Sequence, residues 1–111
     1  MKVTSSIKAP HLFRRAYSKG KSAATPTLVL YARPNSLNKN RLGLTVGTKV
    51  GKAVVRNRVR RRMRESYRLR EDSLKTGYDL VVVARSAAGN ARFKELDRHL
   101  ASLLKRLGLL A

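Results

Sequence analysis

Residues 49–65 read "KVGKAVVRNRVRRRMRE". Seven Lys or Arg fall between Lys52 and Arg64, yet hydrophobic side chains return through the run at a regular interval. At about 100° per residue, Val55, Val59, Met63 and Tyr67 share one side, while Asn57, Arg60, Arg61, Arg64 and Arg68 take the opposite one. A solvated basic tail has no reason to keep a stripe at that period. The spacing therefore predicts a helix over about 52–70, its apolar stripe docked on a domain and its cationic face displayed.

Strand patterns flank this helix. Upstream, "RLGLTVGTK" alternates Leu42, Leu44 and Val46 with Gly43, Thr45 and Gly47, a strand with one burying face and one nearly bare. A glycine-lined face permits close approach of another backbone or a ligand, although a bulge or tight packing explains it as well. Downstream, beyond the polar turn "REDSLKTG", "YDLVVVA" is a continuous apolar strand of the sort buried on both sides. Further out, "ATPTLVLYARP" predicts a strand over about 27–33, with Leu28 and Leu30 facing one way and Val29 and Tyr31 the other. A first helix is predicted at about 10–19, from Pro10 in the first turn, the cluster Leu12, Phe13, Ala16 and Tyr17, and the stop at Gly20. The last helix, in "NARFKELDRHLASLLKRLG", carries the stripe Phe93, Leu96, Leu100, Leu103, Leu104 and Leu107 and ends at Gly108. The order αββαβα implies an α+β fold, a small sheet with helices packed on it. At 111 residues it is one domain, 1–111, with residues 1–9 expected to be flexible.

The charge is far from balanced. Lys plus Arg number 26 against 6 Asp plus Glu, a net +20, while 42% hydrophobic residues keep the chain in the globular range. Such a surplus self-repels unless a polyanion neutralises it, and nucleic acid is the leading partner. Residues 1–70 hold 19 basic and 1 acidic side chains, residues 71–111 only 7 and 5, so the partner surface lies mainly in the first two thirds. With no cysteine, a disulfide framework, a thiolate metal site and a Cys nucleophile are excluded. No apolar run approaches a membrane span and no secretory leader is visible, so a soluble, cytoplasmic protein is expected.

On the basic helix, guanidinium forks contact phosphate bidentately and a rigid rod fixes several of them at once. A solvated charged face normally mixes Glu with Lys, and only Glu65 interrupts the run. Asn57 adds a donor and an acceptor suited to a base edge or a 2′-hydroxyl. Lys49, Gly51 and Lys52 precede the helix where its N-terminus favours an anion, but the spacing is not that of a nucleotide triphosphate loop. Phe13, Tyr17 and Tyr31 are three of six aromatics and suit either a core or a platform for unpaired bases; Arg14, Arg15, Lys19 and Lys21 flank them. Carboxylates on helix faces are explained by i, i+4 pairing, and His11 and His99 read as surface or capping residues. No catalytic side-chain constellation emerges, so any reaction would be carried by a partner.

The stretch 49–65 resembles the signature of the bacterial ribonuclease P protein component. "LFRRAYSKG", "LVLYA", "RLGLTV" and "YDLVVVAR" are similar to that family in order and spacing, over roughly residues 10–107. The resemblance implies an α+β domain with a left-handed βαβ crossover, against the general right-handed rule. It implies that a catalytic RNA subunit with Mg²⁺, bound mainly by that RNA, cleaves the 5′ leader from precursor tRNA. The protein would serve as the non-catalytic component, one copy per RNA. Lys49, Lys52, Arg56, Asn57, Arg58, Arg60, Arg61, Arg64 and Arg68 would then contact the RNA subunit, and Phe13, Arg14, Tyr17 and Tyr31 the leader. Two departures stand out: "MKVTSSIKAPH" is only weakly basic, and Arg62 replaces a usual bulky apolar residue, so that it either lifts the helix or snorkels to the rim. The alternatives are a structural ribosomal-type RNA-binding protein, a DNA-binding protein using the basic helix in the major groove, and a stand-alone nuclease.

Overall fold

A computed structural model describes residues 4–110. In chain order the elements are β1 (Thr4–Ser6), α1 (Pro10–Lys19), β2 (Lys21–Ala24), β3 (Leu28–Pro34), β4 (Asn40–Val46), α2 (Ala53–Arg70), β5 (Tyr78–Ala84) and α3 (Phe93–Arg106). Short 3-10 turns lie at Thr48–Val50, Glu71–Ser73 and Ser86–Asn90. The strands form one sheet in the order β1-β4-β5-β3-β2. β4 and β5 are parallel neighbours joined through α2, and β3 runs antiparallel on the other flank of β5.

The apolar run of β5 earns the central place because both of its faces are covered. Leu80, Val82 and Ala84 enter the main core beneath α2 and α3, while Val81 joins a second cluster with Ile7 and Ala16 on the α1 side. The stripe of α2 docks as its period requires: Val59, Met63 and Tyr67 are buried and Val55 packs at the margin. Across from it, Leu96, Leu100, Leu103 and Leu104 of α3 are buried. Each such side chain contributes about 1.5–3 kcal/mol by leaving water. The end of α3 is a Schellman closure: Gly108 sits at φ 71, its N–H donates to Lys105 O at 3.0 Å, and Leu109 N–H reaches Leu104 O at 2.9 Å.

Two edge strands go beyond the expected order. β2 forms a hairpin with β3, closed where the Thr25 hydroxyl accepts from Leu28 N–H at 3.0 Å. β1 lies parallel to β4, from Thr4 opposite Asn40 to Ser6 opposite Leu42. The expectation of a flexible segment over 1–9 is therefore corrected for residues 4–9: Ile7 is buried and donates its N–H to Leu42 O at 2.9 Å. Residues 1–3 lie outside the described residues. The β4 alternation puts Val46 in the main core and Leu42 and Leu44, partly buried, against it, and its bare face is where α1 approaches.

Candidate nucleic-acid interface

α2 positions the first surface. Arg61, Arg64 and Arg68 stand exposed along it, with Lys52 and Asn57 exposed near its start. Arg60 is half-buried and donates to the Asn57 side-chain oxygen at 3.2 Å, which pre-orients both groups. Among the described residues the ion pairs Arg41–Asp79 and Arg70–Asp97 lie off this face, and Arg61, Arg64 and Arg68 form none. Arg58 and Arg62 depart from the simple picture of a displayed rod. Both are half-buried, Arg58 donating to Gly89 O at 3.3 Å and Arg62 to Ala91 O at 3.0 Å. They bind the helix to the segment before α3. Arg56 is half-buried too, and its Nε and that of Arg58 are buried without a hydrogen-bond partner.

The second surface is the sheet face that α1 covers only in part. Ala16 is wholly buried against it, which sets Phe13 and Tyr17 over the strands. Phe13 lies directly on Gly43: a Cβ there would stand 2.6 Å from the ring, so the bare face of β4 is a seat for this aromatic. The rings follow one another, Phe13 to Tyr17 with centroids 6.5 Å apart and Tyr17 to Tyr31 at 4.9 Å, edge to face. Phe13 and Tyr31 are partly buried, whereas Tyr17 keeps 42% of its surface in solvent, held by a 3.2 Å hydrogen bond between its hydroxyl and that of Thr45. Phe13 thus packs against the smaller core cluster while Tyr17 is displayed. Arg14 is exposed on α1, around the helix from Phe13.

From Thr45 the cleft opens into a cavity of about 490 Å³ at the carboxyl ends of β4 and β5, lined by Thr48, Lys49, Arg85 and Ser86 among others. Lys49 accordingly stands at the end of the aromatic cleft, at the junction with the start of α2. Thr45 and Arg85 were not singled out by sequence. The strand alternation that puts Thr45 beside Gly43 was visible, but its meeting with Tyr17 needs the packed helix.

Long-range pairing corrects the reading of the carboxylates. Asp79 is buried on β5 and takes a two-pronged contact from Arg41, at 2.6 and 2.8 Å, plus Asn35 Nδ2 at 3.1 Å. Asp97 of α3 pairs with Arg70 of α2 instead of a neighbour on its own helix. Hydrogen bonding from Arg70 holds its carboxyl below the ordinary range; burial opposes this, and the Ser66 hydroxyl adds a lesser lowering. Burial raises the Tyr67 hydroxyl, which stays neutral. His99 is neither a free surface group nor a cap: it is half-buried with Nδ1 2.6 Å from the Thr27 hydroxyl. Among the described residues no three acidic or histidine side chains gather to hold a metal ion, and no helix is long and apolar enough to cross a membrane.

A sheet with one aromatic-floored face and a crossover helix dense in arginine defines a small, strongly basic α+β protein. Comparison with known proteins says which: the family model described as Ribonuclease P matches residues 1–108, and the chain belongs to that family. The ribonuclease P protein component of Alkaliphilus oremlandii is 42% identical over 110 residues, covering 99% of this chain and 96% of that one. The Staphylococcus aureus RNase P protein structure superposes with a TM-score of 0.88 at 31% identity, over 96% of this chain and 97% of the other. The Thermotoga maritima RNase P protein gives 0.77 at 33% identity, over 85% and 89%.

Proposed function

We propose that this chain is the protein subunit of a ribonucleoprotein that removes the 5′ leader of precursor tRNA in the cytoplasm. α2 holds the RNA subunit through Asn57, Arg60, Arg61, Arg64 and Arg68, with Lys49, Lys52, Arg56 and Arg58 at its start; Phe13, Arg14, Tyr17 and Tyr31 hold the single-stranded leader. The observation that carries this reading is the exposed Tyr17 ring fixed edge-to-face on Tyr31, beside the open sheet face. An aromatic left in solvent on a rigid helix is a stacking surface that tolerates any base sequence.

Asp79 and Asp97 are engaged by arginine, and Mg²⁺ is assigned to the RNA. The protein's contribution is affinity and position, with one copy per RNA. Neutralised phosphates release counterions, and the cleft aligns the leader next to the RNA's reacting centre. The test is cleavage of precursor tRNA by the cognate RNA subunit in dilute Mg²⁺, with and without this chain. Faster cleavage with the chain, and none by the chain alone, is expected. Unchanged turnover would overturn the proposal in favour of a structural RNA-binding role.

A further inference from the structure

The arginine face of α2 and the aromatic cleft lie on opposite sides of the sheet, yet they meet at its edge. β1 pairs with β4 only as far as Leu42, where Ile7 N–H bonds Leu42 O. Backbone groups alternate in direction along a strand, so Leu44, two residues on, points its N–H and C=O the same way, past the end of β1 and into an open edge. At that point a notch of about 190 Å³ is lined by Ser6, Ile7, Phe13, Leu42, Gly43, Leu44 and Arg64. Phe13 and Gly43 belong to the cleft; Arg64 belongs to α2. A second, polar hollow of about 120 Å³ shares Ser6, Leu42 and Arg64 and runs on beside β1 to Arg68. Among the described residues Arg64 is exposed and forms no ion pair, which leaves its guanidinium open to an anion.

We propose that this edge notch takes a phosphate-bearing nucleotide of the leader, with its base side against Phe13 and its phosphate on Arg64 and the Ser6 hydroxyl. The occupant follows from continuity with the cleft and from charge: an apolar ring on one wall and an unpaired guanidinium on the other suit a nucleotide better than an apolar peptide. Arg64 then serves two faces, the RNA subunit on α2 and the substrate across the sheet edge, whereas Arg61 serves only the first. The inference rests on the leader-cleft reading above.

The test compares holoenzymes assembled at saturating protein, so that weaker assembly does not enter, and measures binding of precursor and mature tRNA. Arg64→Ala should reduce the preference for precursor by about tenfold, the scale of one hydrogen bond to a charged group. Arg64→Lys should restore part of it, and Lys105→Ala, an exposed position on α3 that belongs to neither surface, should leave the preference intact. Tyr17→Ala separates the two ideas. If it lowers the preference while Arg64→Ala does not, the notch assignment is wrong and the cleft stands. If neither variant moves it, the leader-cleft reading itself falls, and the notch with it.

Discussion

Arg70 and Asp97 close a two-pronged ion pair between α2 and α3, with Nη2 donating to Oδ2 at 2.9 Å, and the buried Ser66 hydroxyl donates to the same carboxylate at 2.7 Å. Ser66 lies one residue before Tyr67 on the docked side of α2, so the pair fixes how the helix is rolled and therefore where its arginines point. The Arg70 side chain also reaches back to Ser66 O at 3.2 Å, tying the guanidinium to its own helix.

This pair gives stability a sign with pH. Arg70 holds the Asp97 carboxyl below its ordinary value, so its contribution is complete above the carboxylate range of the unfolded chain and is lost as pH falls through the lowered folded value. Thermal unfolding followed between neutral and strongly acid pH should show a midpoint that falls in acid. Asp97→Asn should be less stable at neutral pH and show a smaller acid-side fall; an identical slope would remove the pair as a source.

Arg41→Ala leaves the Asp79 carboxylate buried with only Asn35 for company. The cost in urea unfolding should approach about 3 kcal/mol, the low end for breaking a buried pair, because Arg41 keeps a quarter of its side chain in solvent. Replacing both partners, Arg41→Met with Asp79→Leu, should recover much of the loss, since no buried charge is then stranded.

Tyr67→Phe tests how β1 is held. The Tyr67 hydroxyl and Thr4 share a 3.0 Å hydrogen bond between α2 and the first strand. Its removal should cost about 1 kcal/mol. Amide exchange at Ile7, whose N–H is bonded to Leu42 O, should quicken more than exchange at the β5 amides.

Arg61→Ala and Arg58→Ala should differ in kind. Arg61 is exposed, so its loss should leave unfolding unchanged and lower the slope of log assembly affinity against log salt by roughly 0.7–0.9 for each phosphate released. Arg58 also holds Gly89 O, so its loss should weaken the fold as well, by about 1 kcal/mol. Equal stability for both variants would argue against the tether.

Tyr17→Ala should weaken precursor tRNA by about 1–3 kcal/mol while sparing mature tRNA, because it removes one stacking surface. Equal losses for the two ligands in a binding titration would contradict a leader site at this ring.

The sequence alone determined what a local period can encode. Three helices follow from the 3.6-residue spacing in α1, α2 and α3, and three inner strands from the alternation in β3 and β4 and the unbroken apolar run of β5; the cationic face of α2 follows from the same helical count. The aromatic trio was legible as residue types, but not as a chain of touching rings.

Tertiary structure decided the rest, because its causes lie far apart along the chain. β1 and β2 are three and four residues long, with little alternation of their own, and are strands only because β4 and β3 offer edges to pair with. Asp79 meets Arg41 across 38 positions and Asp97 meets Arg70 across 27, partners that no helical spacing names. Arg58 and Arg62 look alike with Arg61 in sequence, yet a neighbouring row of backbone carbonyls at Gly89 and Ala91 turns those two inward and leaves the third for a partner. Charge and periodicity are local properties; which cation is left unpaired depends on what the fold brings beside it.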